Sequence, residues 1–396
     1  MNDPLSRPVP RWLHVWAVLT AAVALLLLAI GQFVTSFGAG MADPIWPTEP
    51  WYVFGNASPE DAARFRADFK FFIEHTHRIA AWTFGGLVVV LAGGFWWTEP
   101  RPRARWAALA GLVVLVAGFG AFHGGLIAQK EVLAADLKVP VGALAVTLAG
   151  LGLTLGVGIS GAVARRRGSG LRLVALAALV AAMVQGLLGG LRVRLNDLFG
   201  ADLAAFHGVF AQVVFGLIVT LAVTTARRGA PAEAGSGARA LHRSALLLAH
   251  LIFVQVVFGA LVRHFPNHLN QRLHFLTAFL ATALAALLIR AVLANPAARA
   301  RAGWVARLCA ALLVAQVYLG VEAWLARLGQ YTLPELVPVT AAGGAVRSLH
   351  ALVGSALWGA VLALTIRLRP VRAPSHTLKP VEFARPRDLP HAASAV

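Results

Sequence analysis

The sequence predicts an all-α polytopic membrane protein of about ten transmembrane helices, arranged as pseudo-repeated hairpins. Three observations predict it. Apolar residues make up 58% of the chain and charged residues only 13%, against roughly 25% charged in soluble domains. The mean hydropathy is +0.71, more apolar surface than a water-soluble fold of this size can hide. Apolar stretches long enough to span a bilayer recur along the chain, residues 16–34 and 351–368 among them, since a spanning helix needs about 20 such residues.

The expected spans, in order, are 12–34, 71–97, 105–128, 139–163, 171–194, 203–226, 243–263, 272–295, 304–326 and 345–368. Arg7 and Arg11 precede the first, but its apolar run exceeds the roughly 7–15 residues of a signal-peptide core, so it is expected to remain as a helix. The first external loop is long and carries Trp46, Pro47 and Trp51. Ser58 then reads as an N-cap followed by Pro59, opening a short amphipathic helix that leads into the second span and lids the site beyond it. The connections after even-numbered spans are basic: Arg101, Arg103 and Arg105; Arg165, Arg166 and Arg167; Arg227, Arg228, Arg239 and Arg243; Arg299, Arg301 and Arg307. The tail, with Arg367, Arg369 and Arg372, is basic too, and the alternate connections are mixed. This places the basic loops and both termini in the cytoplasm, with the chain in the plasma membrane. The net charge of +18 follows from that loop arginine and argues for the lipid bilayer, not nucleic acid, as partner. The single cysteine, Cys309, lies within an apolar run, which excludes an internal disulfide and reads as a small core residue.

The hairpins repeat. Odd spans end alike, at Gln32, Gln185, Gln255 and Gln316, each with Gly within a few residues. Even spans open with His77, His207, His274 and His350. The hairpin at 105–163 has Ala117-Gly118 and Lys138-Val139-Pro140 instead, and reads as a degenerate or inserted copy. Removing it leaves two halves: 12–226, pairing His77 with His207, and 243–368, pairing His274 with His350. A linker at 227–242 joins them and a tail follows at 369–396. Neutral imidazole is a good iron ligand, and two histidines at equal depth in a helical bundle can hold a haem between them. Two haem-binding bundles are therefore expected.

Glu74 lies three residues before His77, on the same helical face, where a carboxylate can accept protons beside an iron. Gln271 and Arg347 stand at that spacing in the other half, so the halves are chemically unequal. Arg78, Arg192, Arg194, Arg263, Arg272 and Arg347 cluster near the histidines and can pair with anionic propionates or with lipid phosphates. His75 is turned about 200° from His77 and cannot share its iron. His123, His264 and His268 have no repeat partner and are expected to be interfacial or packed. The residues alone leave three readings open: an enzyme, a b-type cytochrome that carries electrons, and a transporter. The last needs ionisable groups near mid-membrane, whereas these lie at helix ends.

These residues resemble the haem A synthase family. The run 34–47, with Gly38, Gly40, Asp43, Pro44, Trp46 and Pro47, is similar to its first external segment. Glu74, His77 and Arg78 match its Glu-x-x-His-Arg motif, and the run 184–193 followed by His207, with the hairpins of His274 and His350, completes the pattern over most of 12–368. The resemblance implies an oxidoreductase of two similar four-helix halves that converts the C8 methyl of haem O to the formyl of haem A. Glu74 would be catalytic. His77 and His207 would hold the substrate haem, and His274 and His350 a resident haem b. Arg78, Arg192, Arg272 and Arg347 would bind the haem groups. Haem O synthase and terminal oxidase assembly would be its partners, with homo-oligomerisation open. The hairpin at 105–163 and the lack of a cysteine pair in the first external loop depart from the family.

Overall fold

The computed structural model describes residues 9–42, 58–129, 132, 136–226, 236–326 and 340–370. Trp46, Pro47, Trp51, Arg227, Arg228 and Arg372 lie outside the described residues. The helices are α1 (Arg11–Ser36), α2 (Pro59–Ala67), α3 (Phe69–Trp97), α4 (Pro102–Ile127), α5 (Val141–Val163) and α6 (Ser169–Arg194). They continue with α7 (Asn196–Thr225), α8 (Ser236–His264), α9 (His268–Ala294), α10 (Pro296–Leu325) and α11 (Ala341–Leu368). All but α2 are long and apolar enough to cross a membrane, and no strand occurs among the described residues. The chain is an all-α protein with ten candidate membrane spans.

Several helices start earlier than their apolar stretches because polar side chains cap them. Asp68 accepts the backbone N–H groups of Lys70 and Phe71, Asn267 that of Asn270, Asn295 that of Ala298, and Thr340 that of Gly343. Each satisfies a donor that a helix start otherwise leaves open. Pro296 follows Asn295 at the first helical position, where its missing N–H costs nothing. The helix α2 forms where the amphipathic segment was expected, and Arg64 on it donates to the Ala42 carbonyl at 2.8 Å.

Helices α1, α3, α6 and α7 pack as one ring of four, and α8, α9, α10 and α11 as another. The rings meet where α1 and α7 contact α11 and where α7 contacts α8. The largest buried side chains, Leu13, Leu91, Phe95, Trp96, Leu179, Ile218, Leu221, Leu248 and Leu364, join both rings in one core towards the basic ends of the helices.

The pair α4–α5 stands outside the rings, α4 against α3 and α5 against α6. Its two backbones touch through small residues. A Cβ on Gly118 would lie 2.6 Å from the Thr147 amide nitrogen, and one on Gly125 would lie 2.7 Å from the Pro140 ring. Thr154 donates to the Ala108 carbonyl across the pair at 3.3 Å. Close packing of small residues substitutes here for a hydrophobic drive that lipid cannot supply.

The connection between α3 and α4 is tied to the start of α6. Glu99, 1% exposed, accepts Arg101 Nε at 2.7 Å and Arg172 Nη2 at 2.9 Å. Burial by itself raises the Glu99 carboxyl, but the hydrogen bond from Arg101 and the charge of Arg172 outweigh it and hold the carboxyl below its ordinary value. Glu99→Gln is expected to destabilise the detergent-solubilised protein by about 3–5 kcal/mol, because it strands the buried Arg172 charge. A carboxyl depressed by folding stabilises above its unfolded value and loses that contribution as pH falls through the folded one. The gap in melting temperature between wild type and variant should therefore close as the pH drops below the ordinary 4.5. An unchanged melting curve at neutral pH would refute the assignment.

Candidate functional site

Four hairpins carry the histidines: α1 with α3, α6 with α7, α8 with α9, and α10 with α11. In each, the histidine ring lies against a glycine of the first helix of the hairpin. A Cβ on Gly31 would be 3.0 Å from His77 Cε1, and one on Gly189 would be 3.1 Å from His207 Cε1. The corresponding values are 3.3 Å for Gly259 and His274, and 3.0 Å for Gly320 and His350. Glycine inside a helix costs about 1 kcal/mol relative to alanine. Here it makes room for an imidazole. All four histidines are half-buried.

One turn before the glycine, on the same face, three hairpins place a glutamine. Gln185 Nε2 lies 3.1 Å from His207 Nδ1 and donates to the His207 carbonyl at 3.0 Å. Gln255 Nε2 lies 3.1 Å from His274 Nδ1, and Gln316 Nε2 lies 3.4 Å from His350 Nε2. Gln185 Oε1 is buried with no hydrogen-bond partner among the described residues.

The first hairpin breaks the register suggested by the sequence. Gln32 does not face His77; it accepts a hydrogen bond from Arg263 of the other ring. The residue one turn before Gly31 is Leu27, whose backbone carbonyl faces His77.

The histidines come together as pairs on alternate helices of each ring. His274 and His350 have ring centroids 6.4 Å apart with planes at 77°. A metal bound by both, at about 2 Å from each ring nitrogen, requires centroids about 6 Å apart. His207 lies within electrostatic reach of His77. Among the described residues, no group of three or more His, Cys, Asp or Glu converges to form a metal cage. A histidine pair without further donors suits a metal that brings its own equatorial ligands, as haem does.

Beside His77, Glu74 is 3% exposed and accepts Arg78 Nη2 at 2.7 Å. Arg192 completes this cluster: it lies within electrostatic reach of Glu74 and Arg78, and its guanidinium fills the space beside Gly40. Among the described residues, no buried carboxylate paired with an arginine adjoins the other pair. Arg347 donates to the carbonyls of Gly343 and Ser36, and Arg272 is exposed. Arg263 bridges the rings through Gln32 and Ser36, and Ser348 joins Ser36 at 2.9 Å. Arg194 holds the α4–α5 connection through the carbonyls of Gln129 and Val132. His75 packs against Phe65 and Phe71, and His123 against Trp82 and Phe119. His264 is half-buried and His268 exposed. Cys309 is buried and free.

Comparison of the chain with protein-family models, with curated proteins and with solved structures finds no match.

Proposed function

We propose that this protein is a haem A synthase-like oxidoreductase of the plasma membrane, converting the C8 methyl of haem O to a formyl group. One observation carries the reading. Two histidine pairs of matching construction differ in that the N-terminal pair alone has a buried carboxylate, Glu74, one turn from a histidine. The motif around Glu74, His77 and Arg78 and the placement of all four histidines support it by resemblance.

On this reading the N-terminal half, 12–226, takes the substrate haem O between His77 and His207, and the C-terminal half, 243–368, holds haem b between His274 and His350. Bound haem b would supply one-electron redox capacity for passing the electrons of this reaction to an external acceptor. Conversion of a methyl to a formyl with water as the oxygen source is a four-electron oxidation that also releases four protons. Glu74, held by Arg78 at the wet end of α3, is placed to take them. Arg192 and Arg78 add positive charge that suits haem propionates. Gln185, Gln255 and Gln316, each close to a ring nitrogen, would orient three of the histidine rings, as partners of metal-bound histidines commonly do. His77, with Leu27 in that place, is the exception.

The basic ends of the helices face the cytoplasm in this proposal. Gly170 stands at the start of α6 and Ala201 near the start of α7, at opposite ends of one span. Reporter fusions after these two residues should therefore report opposite compartments, with the Gly170 fusion cytoplasmic. Both reporters active on one side would refute the topology.

A further inference from the structure

Away from both histidine pairs, the connections α3–α4 and α5–α6 form a cationic cluster at the basic end. Glu99 is the acceptor for Arg101 and Arg172, and Arg172 also donates to the Arg167 carbonyl at 3.3 Å. Arg166 is tied in beside them: its N–H donates to the Gly161 carbonyl, and its carbonyl accepts Ser169 Oγ. A Cβ on Gly161 would lie 3.5 Å from Arg101 Nη2 and 3.5 Å from Ser169 Cβ, so the two connections share one site. Arg105 follows one turn after Arg101 on α4, its guanidinium 5.2 Å from the ring centre of Trp97.

Arg101 Nη2, Arg105 Nε and Arg166 Nε are each buried without a hydrogen-bond partner among the described residues. Of the four arginines in these connections, Arg101 and Arg172 share the one carboxylate, Glu99, and Arg105 and Arg166 have no ion pair among the described residues. A buried N–H left unmade costs about 1–3 kcal/mol, and more on a charged group. The helices α4 and α6 also begin here with no side-chain cap, adding open backbone donors and positive dipole ends. The missing partner is an anion with several acceptor oxygens.

We propose that this cluster binds the phosphate of an anionic membrane lipid. Phosphate matches the fork of arginine donors, and basic pockets between helices at the cytoplasmic surface suit such headgroups. Trp97 and Trp106, 46% and 57% exposed, stand beside Arg105 at the rim, where tryptophan favours the bilayer interface. A ligand with acyl chains continues along them; free phosphate gains nothing from them. The lipid would anchor the root of the extra hairpin to the ring of α3 and α6. This inference does not depend on the haem assignment.

Native mass spectrometry of the purified full chain, delipidated and offered defined lipids, tests it. Phosphatidylglycerol should be retained in preference to phosphatidylcholine. Replacing Arg105 and Arg166 together by Gln should lower its retention about tenfold or more, the scale of one charge-assisted hydrogen bond. These changes leave the Glu99 ion pairs intact. Arg103→Gln, which removes an exposed charge from the same turn, should change retention little. Arg166→Lys, keeping the charge but losing the fork, should give a partial loss, and serves if the double variant does not fold. Equal retention by wild type and double variant, equal binding of the two lipids, or displacement of phosphatidylglycerol by millimolar inorganic phosphate would each overturn the proposal.

Discussion

Glu74→Ala is expected to abolish haem A production while leaving haem b in the protein. Loss of a general base typically lowers a rate by about 10²–10⁴, and all four imidazoles survive the change. The measurement is haem chromatography of membranes from cells that express haem O synthase together with each variant. Haem O should accumulate, haem A should fall by that factor, and the reduced-minus-oxidised haem b spectrum should persist. Glu74→Asp should fall between, because it keeps the charge and shortens the reach. Removing the carboxylate also takes the Glu74 ion pair from Arg78, whose side chain is only 11% exposed, so haem content is compared per folded protein and Glu74→Gln serves as the uncharged isostere. Wild-type haem A with Glu74→Ala would end the catalytic assignment. If wild type itself makes none, the chain is a cytochrome of the same architecture and Glu74 a structural anion.

The ten spans were legible because hydropathy is a direct signal of length and burial in lipid. Their true starts were less so. Residues 296–303, with Arg299 and Arg301, are helical although not apolar, since the cap at Asn295 and Pro296 sets the start of α10. The expected start at 304 marks where the apolar stretch begins instead. At α7 the helix begins at Asn196, with a break in helical geometry at Phe199, seven residues before the expected start.

Likeness of strings aligned Gln32 with the other glutamines, yet side chains on a helix are placed by spacing to a contact. The contact is Gly against His, and Gln185, Gln255 and Gln316 each stand four residues before it. Measured the same way, the first span offers Leu27 before Gly31. That four-residue signal was present in the sequence. The bridges from Arg263 and Ser348 to α1 were not, because no local pattern reports how two rings of helices dock.

His274→Ala or His350→Ala should remove the resident haem b, the largest spectroscopic change expected from any single substitution here. Each would supply one iron ligand, and among the described residues no third His, Cys, Asp or Glu joins the pair to replace it. Graded changes at the neighbours separate a ligand pair from two packed histidines. Gln255→Leu and Gln316→Leu should weaken haem b retention about 10–100-fold, as loss of partners to metal-bound histidines does. Gly320→Ala should perturb more than Gly259→Ala, because its Cβ would come within 3.0 Å of the histidine carbon, against 3.3 Å. Ligand loss must appear in the reduced-minus-oxidised spectrum of purified protein, while packing loss alone would appear only in the melting curve. Unchanged spectra for both histidine variants would remove haem b from the C-terminal ring. Electron exit through that ring would fall with it, yet the chemistry proposed beside His77 would remain open to its own test. The two assignments can therefore fail separately, which matches the way the halves are built: one pair carries glutamines on both histidines and, among the described residues, no buried carboxylate, while the other carries Glu74 and leaves His77 without a glutamine.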